Sequence, residues 1–532
     1  MTQKTETYLY TKENNTSTKL NLWMAFPGIK SFGMASLGFL TVFKTIDTID
    51  GIFAERIFTD TKNTKIKPQD IDVFGFSFSF ELDILCILKL LKQYKIPFKN
   101  NERDSSHPLI YGGGPVLTAN PEPFAPFFDF MMIGDIEPIG KKVFEYIRDN
   151  KDMPRKELLS ELAKIEGIYV PALTKFDEKQ NKVLTLDNKE YKVKKITAKL
   201  SQCTYTPILS EESYFSNTFI VEVERGCPQR CGFCLASYLN LPTRCCSIKN
   251  LIETFELGLK YTNKIALLGA LVCGHPDFDK ICDFFIKKID NGENIELTIS
   301  SLRADYVSPK TVEMLVKSGQ KTATIAVEAG SERLRKVINK NLSEKEIMDV
   351  VKIAEDNGLQ GLKIYAMIGL PTETYEDLDE LVALIKRIKT NHKTFDITLG
   401  FSTFVPKAQT PFQYAKREDT KSLEKKYEYL KKEFHKIGVK IRTSSVKWDY
   451  IQALLSRGDR RLCDYLISVF ESDCNLGAFK NAYKQLCKAK KLPDSDYFAL
   501  KEKQIEDNLP WDFIENTFSS KDLAKEYNRL LR

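Results

Sequence analysis

Three closely spaced cysteines directly after a strand-like apolar run restrict the fold more than any other feature of the chain. They are Cys227, Cys231 and Cys234, spaced Cys-x3-Cys-x2-Cys, and the apolar run before them covers residues 219–223. Three thiolates in one loop are a ligand set for an iron–sulfur cluster. Because a cubane cluster has four irons, three protein ligands would leave one iron with an open coordination position. The spacing therefore predicts an open cluster at the end of a strand.

Other interpretations of the three cysteines are weaker. A structural zinc site is tetrahedral with four ligands, and no His follows at the spacing of a zinc finger. Disulfides are not expected, because the chain has the features of an intracellular protein. A chance grouping of three unrelated cysteines is the last alternative.

Composition limits the class of protein. The chain has 532 residues, of which 42% are hydrophobic, and this length predicts two or three domains with ordinary packed cores. The net charge of +7 is mild for such a chain and does not indicate nucleic-acid binding. Residues 1–19 are polar and charged, and no apolar run reaches the length of a membrane span. We therefore expect a cytoplasmic protein with no membrane partner.

Residues 1–150 alternate strand-like and helix-like runs. The predicted strands cover residues 20–26, 52–58, 73–80, 109–111 and 130–133, and the predicted helices cover residues 36–45, 82–94 and 138–148. Such alternation predicts a Rossmann-like α/β domain, in which helices cover a parallel sheet. Ligands bind such sheets at the carboxyl ends of the strands.

Glycines follow three of these predicted strands. Gly28 follows the first strand, Gly113 and Gly114 follow the fourth, and Gly134 follows the fifth. Glycine lets the backbone approach a ligand closely, so these loops are candidate cofactor-binding loops. Tight turns alone would account for the same glycines equally well.

The rest of the chain divides into three parts. Residues 151–216 form a charged connector with a predicted helix at residues 155–165, and residues 414–532 are predicted to be mainly helical. Between them, residues 217–413 repeat strand–helix units, with strands predicted at residues 219–224, 264–268, 296–300, 322–328, 362–368 and 396–401. Six such units predict a partial (β/α)6 TIM-type barrel, whose active site lies at the C-terminal ends of the strands.

Several residues at the ends of the barrel strands are candidates for binding. Glu328 ends the fourth strand, where its carboxylate could accept both hydroxyls of a ribose or simply favour a helix N-terminus. Ser300 and Arg303 end the third strand, and Arg303 could hold a carboxylate or form a surface salt bridge. Gly269 and Gly369 follow the second and fifth strands, and Gly369 could be only a turn residue.

Cysteines outside the motif have simpler interpretations. Cys273 follows the second barrel strand and could be catalytic, but a small buried apolar residue is the default expectation. Cys245 and Cys246 are expected to serve packing alone.

The cysteine motif, with Phe233 just before its last cysteine, resembles that of the radical S-adenosylmethionine (SAM) superfamily. The resemblance implies that Cys227, Cys231 and Cys234 ligate a 4Fe–4S cluster, and that SAM chelates the open iron through its amino and carboxylate groups. One electron from the cluster would cleave an S–C bond of SAM to give a 5′-deoxyadenosyl radical. The electron would come from a donor such as flavodoxin or ferredoxin.

The same resemblance gives roles to the residues at the strand ends. It places Glu328 at the SAM ribose, Gly269 near the SAM amino group and Gly369 near the adenine, while Arg303 could hold the SAM carboxylate, with Ser300 as a further cofactor-binding residue on the same strand end. The acidic residue that the family often has beside the glycines near Gly269 is absent here.

The N-terminal region resembles the cobalamin-binding-like domain that precedes many radical SAM cores. A closer resemblance is to an uncharacterised radical SAM group, with shared runs that include residues 113–115, 133–135 and 457–462. Cobalamin mutases bind cobalt through the His of Asp-x-His-x-x-Gly, and none of the four histidines of this chain lies in that pattern. Cobalamin either binds without a protein His, with methyl transfer to an unreactive carbon as the natural outcome, or does not bind.

Two other functions stay open. One is a non-catalytic iron–sulfur protein that serves sensing or electron transfer. The other is a methylthiotransferase-like enzyme that modifies RNA or protein, although such enzymes carry three further cysteines before the motif, where this chain has only Cys86 and Cys203. The substrate is not predicted. The basic residues within residues 457–461 could meet an anionic substrate or pair with carboxylates.

Overall fold

The computed structural model describes residues 6–11 and 17–532. The strands before the cysteine motif are β1 (Glu6–Tyr8), β2 (Leu20–Ala25), β3 (Ile52–Ile57), β4 (Val73–Ser77), β5 (Leu109–Gly113), β6 (Phe130–Met132), β7 (Ile168–Tyr169), β8 (Thr174–Asp177), β9 (Lys182–Thr185), β10 (Val193–Lys194) and β11 (Ile208–Ser210). The helices of this part are α1 (Lys30–Gly33), α2 (Leu37–Asp47), α3 (Ile84–Gln93), α4 (Pro115–Ala119), α5 (Gly140–Asp149) and α6 (Arg155–Leu162).

The N-terminal sheet has six strands in the order β3-β2-β4-β5-β6-β7. Strands β2 to β6 are parallel, and β7 runs antiparallel to β6. The strand order reverses between β2 and β4, and ligands of open α/β sheets bind in the crevice at such a reversal. The predicted Rossmann-like domain is therefore confirmed.

Buried positions explain the central strands of this sheet. β4 has the sequence Val-Phe-Gly-Phe-Ser and is almost wholly buried, as expected for a parallel strand covered on both faces. A Cβ atom at Gly75 would lie 2.1 Å from the ring of Tyr111 on the neighbouring strand. The glycine therefore leaves room for Tyr111, whose buried hydroxyl contacts the Met24 sulfur at 3.0 Å.

The strands from the cysteine motif onward are β12 (Phe219–Glu222), β13 (Glu224–Arg225), β14 (Arg244–Cys245), β15 (Lys264–Leu268), β16 (Glu296–Ile299), β17 (Thr322–Glu328), β18 (Gly361–Ile368), β19 (Asp396–Thr403), β20 (Lys440–Thr443) and β21 (Ile514–Glu515). The helices of this part are α7 (Leu235–Leu239), α8 (Ile248–Leu259), α9 (Phe278–Asp290), α10 (Pro309–Lys317), α11 (Glu332–Val337), α12 (Glu344–Asp356), α13 (Tyr375–Asn391), α14 (Thr420–Lys436), α15 (Val446–Ser456), α16 (Leu462–Phe470), α17 (Leu476–Lys488), α18 (Asp496–Ala499) and α19 (Ser520–Leu531).

Two parallel sheets, β12-β15-β16 and β17-β18-β19-β20, form a partial barrel. A parallel bridge between Leu302 and Ile325 joins them. The six predicted strands are all present, and the cysteine loop follows the first of them. β20 is an additional strand that the sequence analysis did not predict, because its four residues stand between two helices and show no long apolar run.

Helix starts follow the capping signals of the sequence. The Ser308 and Ser343 side chains accept hydrogen bonds from the backbone amides of Thr311 and Glu346, at the starts of α10 and α12. In the C-terminal part, which was predicted to be mainly helical, α14 buries Leu423, Tyr427, Leu430 and Phe434, and the chain turns after it at Gly438, where φ is +67°.

The structure corrects the expectation that the chain has no disulfide. Cys203 and Cys246 are bonded, with Cα atoms 5.6 Å apart, although 43 residues separate them in sequence. Cys203 precedes β12 and Cys246 follows β14, so the fold of the barrel start brings the two side chains together. Sequence spacing carries no signal for such a pair.

No helix within the described ranges is both long enough and apolar enough to cross a lipid bilayer.

Buried ion pairs join the C-terminal helices to the N-terminal sheet. The Arg460 guanidinium contacts the Glu122 carboxylate at 3.0 Å and the Tyr169 hydroxyl at 2.6 Å, and Glu122 is fully buried. The guanidinium of Arg457 is buried as well, and it donates to backbone carbonyls such as Phe498 O at 2.8 Å. The sequence left two interpretations of the basic residues within residues 457–461, an anionic substrate or pairing with carboxylates. The structure supports pairing inside the protein.

Replacing Arg460 with methionine tests the strength of this junction. Arg460→Met leaves the buried Glu122 carboxylate without its cation, so we expect the free energy of unfolding to fall by about 3–5 kcal/mol. Urea unfolding followed by tryptophan fluorescence measures the change. The matched control is Arg387→Met, because Arg387 pairs with Glu344 in an exposed position, where the loss should stay below about 1 kcal/mol. Equal losses in the two variants would contradict the assignment.

Candidate cluster and cofactor site

The cysteine loop is closed at its base by a short hairpin. β13 and β14 pair antiparallel, with Glu224 opposite Cys245 and Arg225 opposite Arg244. Gly226 follows β13 with φ of +91°, and a Cβ atom there would lie 2.4 Å from the backbone oxygen of Asn240. Only glycine fits at this position. The two ends of the loop that carries the cysteines are therefore held together by this hairpin, directly after β12.

The three thiols are close enough for Cys234 to affect the pKa of the other two. Cys227 and Cys231 are buried and Cys234 is half-buried. Burial raises the pKa of Cys227, and it raises the pKa of Cys231 to about 12, while Cys234 contributes to the rise at both. In the part of the chain that the structure describes, no three His, Cys, Asp or Glu side chains are already grouped as metal ligands. Since such thiols are protonated at neutral pH, a metal must displace protons to draw them together.

The surroundings of the loop fit an anionic, thiolate-ligated cluster. Lys340 and Arg303 both act to lower the pKa of Cys231, so both cations lie within electrostatic range of the thiol. The buried hydroxyl of Ser237 has no well-formed hydrogen bond among the described residues, yet it lies close enough to lower the pKa of Cys227. A hydroxyl of this kind is free to donate to a cluster sulfur. The donor set and its environment therefore match the group that the motif predicts.

Glu328 stands at the end of β17 in an unusual backbone conformation. Its φ is +69°, and the register between β17 and β18 shifts between Ala326 and Glu328. The carboxylate lies 3.5 Å from the Lys340 ammonium. Burial raises the pKa of Glu328, and Lys340 and Arg303 oppose that rise. This backbone strain aims the carboxylate toward the same cations that face Cys231.

Arg303 is less free than the sequence suggested. Its guanidinium contacts the Asp305 carboxylate at 2.8 Å and also donates to the backbone oxygen of Lys340. Its backbone amide lies 3.5 Å from the Cys273 sulfur, so Cys273 is a buried neighbour of this loop, in line with the default expectation. Most donors of Arg303 are thus used inside the protein, and Lys340 offers the more available cation.

The other predicted barrel residues lie at separate places. Gly269 packs against Glu224, since a Cβ atom on Gly269 would lie 2.7 Å from the Glu224 side chain. Ser300 is exposed and Phe233 is half-buried. Gly369 lines a cavity of about 590 Å3, together with Glu418 and Tyr527. The structure therefore brings Cys231, Glu328 and Arg303 together, whereas Gly369 lies away from them, at this cavity.

Two residues near the cysteine loop were missed by the sequence analysis. Lys340 follows α11 between Asn339 and Asn341, both of which have positive φ, and only the folded chain brings it to Glu328. The Glu224 carboxylate accepts a hydrogen bond from the backbone amide of Leu271, and burial raises the pKa of Glu224 to about 7. An acidic group therefore lies beside the Gly269 loop after all, supplied by β13.

A cavity of about 310 Å3 lies between the N-terminal sheet and the barrel. It borders β2 and β4 at the point where the strand order reverses, and it extends to Glu222 and Leu268 at the ends of β12 and β15. Gly113, Gly114 and Gly134 line it, as predicted for a ligand site. Gly28 does not line this cavity, and a Cβ atom there would meet the ring of Phe26.

Two of the lining glycines border space that no other part of the protein fills. A Cβ atom at Gly38 would meet nothing within 4 Å, and one at Gly113 would meet only Met132 atoms at 3.8 Å. Packing within the protein does not explain glycine at these positions, so the space is suited to a ligand. The other lining residues are a mixture of apolar and polar or charged side chains, and none of them is a His. Gly38 was not among the predicted ligand-binding residues.

An ion-pair network connects this cavity to the cysteine loop. The Arg225 guanidinium contacts Asp135 at 3.0 Å, Glu137 at 2.8 Å and Glu222 at 2.8 Å. Arg244, on the other strand of the hairpin, contacts Asp135 at 2.9 Å. Burial acts to raise the pKa of Asp135, but Arg225 and Arg244 lower it more, so that the carboxylate is ionised at neutral pH.

Comparison with known proteins agrees with this arrangement. The chain matches the family "Radical SAM proteins, N-terminal" over residues 38–171 and the family "Radical SAM superfamily" over residues 221–385. An uncharacterized protein of Methanocaldococcus jannaschii is 31% identical over 402 residues, which cover 75% of this chain and 80% of the relative.

Two further similarities are more distant. A threonylcarbamoyladenosine tRNA methylthiotransferase of Aquifex aeolicus is 23% identical over 175 residues, covering 32% of this chain and 42% of that protein. The solved structure of the radical SAM methyltransferase TsrM from Kitasatospora setae, with cobalamin and a [4Fe-4S] cluster bound, has 11% identity and a TM-score of 0.51. That alignment covers 74% of this chain and 77% of TsrM, and it supports the similarity of the fold.

The two family matches, the extended similarity to the archaeal relative and the cysteine loop at the end of the first barrel strand together lead to one conclusion: the chain is a radical SAM enzyme and belongs to the radical SAM superfamily.

Proposed function

We propose that the protein binds one 4Fe–4S cluster through Cys227, Cys231 and Cys234 and cleaves SAM reductively to form a 5′-deoxyadenosyl radical. The observation that supports this most is the convergence of Cys231, Glu328 and Lys340 at the strand ends of the barrel. When bound, the cluster would supply one electron and an open iron for SAM. Production of 5′-deoxyadenosine by anaerobically reconstituted protein with dithionite tests the proposal, and its absence would refute it.

The residues around the cysteine loop would bind and orient SAM. The Glu328 carboxylate would accept the ribose hydroxyls, and the Lys340 ammonium would attract the carboxylate of the methionine part. The fixed Arg303 would contribute mainly through its charge, because its donors are largely occupied by Asp305 and Lys340. Charged groups that are held in place before the ligand arrives need little reorganisation energy when it binds.

We also propose that the cavity at the N-terminal sheet receives part of a cobalamin molecule without a protein His ligand. A volume of about 310 Å3 is in the lower range of ligand pockets, so it suits one end of a large cofactor. The empty space beside Gly38 and Gly113 supports this assignment. The expected outcome is methyl transfer to an unreactive carbon of the substrate.

A methylthiotransferase-like activity is the second candidate, and the similarity to the Aquifex aeolicus enzyme favours it. That similarity covers less than half of either protein. Only Cys86 and Cys203 precede the motif, and Cys203 is bonded to Cys246. Too few free cysteines are therefore left in the N-terminal region for a second cluster.

Replacing Cys231 with alanine tests the cluster ligands. We expect Cys231→Ala to lose most of its iron and its cluster absorbance after anaerobic reconstitution, because two thiolates hold a cubane poorly. Iron and sulfide analysis measures the loss. Cys282→Ala is the control, since Cys282 is equally buried but lies on α9. Full cluster content in Cys231→Ala would contradict the ligand assignment.

Removing the charge of Glu328 tests its contact with SAM. A hydrogen bond to a charged group contributes about 1.5–3 kcal/mol, so Glu328→Gln should weaken SAM binding by roughly ten- to hundredfold without loss of iron. Calorimetric titration of the reconstituted protein with SAM measures the affinity. Glu332→Gln makes the same change at an exposed position in the next helix and should leave the affinity unchanged. Equal affinities in the two variants would remove Glu328 from the SAM site.

Filling the space beside Gly38 tests the cobalamin proposal. Gly38→Leu should abolish binding of hydroxocobalamin, measured by its absorbance after gel filtration, because the new side chain occupies the cavity. Gly38→Ala should fold at least as stably as the wild type, since alanine favours a helix by about 1 kcal/mol over glycine. Lys142→Leu places the same side chain on the exposed face of α5 and serves as the control. Binding that survives in Gly38→Leu would place cobalamin elsewhere, and a wild-type protein that binds no hydroxocobalamin would refute the proposal.

A further inference from the structure

The C-terminal helix α19 packs directly against the outside of the cysteine loop. Gly232 lies between Cys231 and Cys234, and a Cβ atom on Gly232 would lie 2.7 Å from the Leu530 side chain of α19. Leu530 is buried, whereas the opposite side of α19 is exposed. The loop is therefore separated from solvent on this side by one helix, which is about 10 Å thick.

The exposed side of α19 carries a stripe of cations. Lys521, Lys525, Arg529 and Arg532 recur at intervals of four, four and three residues, so they share one side of the helix. All four are exposed. Arg529 pairs with Glu526 at 2.6 Å, and within residues 6–11 and 17–532 no ion pair is formed by the other three side chains. The stripe therefore keeps most of its positive charge available.

The stripe continues onto the cysteine loop itself. Arg230, next to Cys231, is exposed, and its guanidinium lies 5.9 Å from the ring centre of Phe518. Burial raises the pKa of Tyr238, Glu526 adds to the rise, and Arg230 and Arg529 both oppose it. Both arginines therefore lie within electrostatic range of the Tyr238 hydroxyl, which donates to the backbone oxygen of Arg230 at 3.0 Å, and Arg230 belongs to the same surface as the helix.

One asparagine ties this surface to the loop. The Asn339 side chain donates to the backbone oxygens of Gln229 and Arg230 at 3.0 and 2.9 Å. Its own oxygen accepts from Arg529 at 3.3 Å. Arg529, and with it α19, is therefore tied through Asn339 to the loop that carries the cysteines.

We propose that this basic surface, formed by Arg230, Lys521, Lys525, Arg529 and Arg532, is the docking site for a small acidic one-electron carrier protein. The inference rests on the proposed function, in which the cluster must be reduced. The reduced carrier would lose one electron, the cluster would gain it, and no atom would be transferred. Because electron tunnelling weakens exponentially with distance, the carrier must dock where the covering protein is thin, and complementary charge speeds that encounter.

The position of the surface favours a protein carrier over a nucleic acid. An RNA substrate must bring its reacting atom to the strand ends, where Glu328 lies, whereas the basic surface stands on the outer side of the cysteine loop. The surface also offers a single aromatic side chain, Phe518, which is half-buried, and base stacking would need exposed aromatic platforms.

Charge reversal on the helix tests the proposal. The variant Lys521→Glu/Lys525→Glu keeps the helix, because both side chains are exposed and glutamate is favourable near a helix N-terminus. We expect its affinity for oxidised flavodoxin, measured by calorimetry at low salt, to fall by about tenfold or more. Wild-type affinity should weaken as salt is added, and the affinity of the variant should depend on salt far less.

The control and the reductants separate docking from catalysis. Lys480→Glu/Lys484→Glu makes the same change on α17, which packs against α15 and α16, and should bind flavodoxin like the wild type. Reduction of the cluster by flavodoxin should slow in the α19 variant, while reduction by the methyl viologen radical cation should not.

Three results decide the outcome. Equal flavodoxin affinity in the α19 variant and the α17 control would overturn the docking proposal, as would loss of binding to an RNA oligonucleotide with flavodoxin binding intact. A wild-type protein that binds flavodoxin through these lysines but cleaves no SAM with any reductant would instead support the docking surface and refute the proposed function.

Discussion

The ion pairs of Arg225 are the interaction on which the site most depends. This guanidinium joins the end of β12, through Glu222, to the carboxyl edge of the N-terminal sheet, through Asp135 and Glu137. It stands two residues before Cys227, on the hairpin that closes the cysteine loop. Because the same side chain borders the cavity between the two sheets, the position of the loop and the shape of the cavity are set together.

Electrostatics around the loop explain why it suits a cluster more than free thiolates. Burial, with a contribution from Cys234 and Glu328, raises the pKa of Cys231 to about 12, even though Lys340 and Arg303 act to lower it. A bound metal would replace those protons and bring compensating charge of its own. The neighbouring cations and the Ser237 hydroxyl would then face an anionic cluster instead of neutral thiols. In this environment ligand binding and deprotonation are coupled.

Much of this architecture could be predicted from the sequence. The strands of both sheets follow apolar runs, and the capping residues Ser308 and Ser343 mark helix starts, because these signals are local. The cysteine loop and the glycines at the cavity could also be predicted, because each is marked by residues that lie close together in sequence. Lys340, Glu224 and the bond between Cys203 and Cys246 could not be predicted, since each acts on a partner that is distant in sequence. The same is true of Arg460, whose pairing with Glu122 spans 338 residues.

The central claim is that three protein thiolates leave one iron of the cluster open for SAM. Electron paramagnetic resonance of the reduced, reconstituted protein, recorded before and after SAM is added, tests this directly. The account predicts that SAM shifts the g-values of the cluster signal, because SAM becomes a ligand of the open iron. A signal that does not respond to SAM would show a fully protein-ligated cluster and would contradict the account.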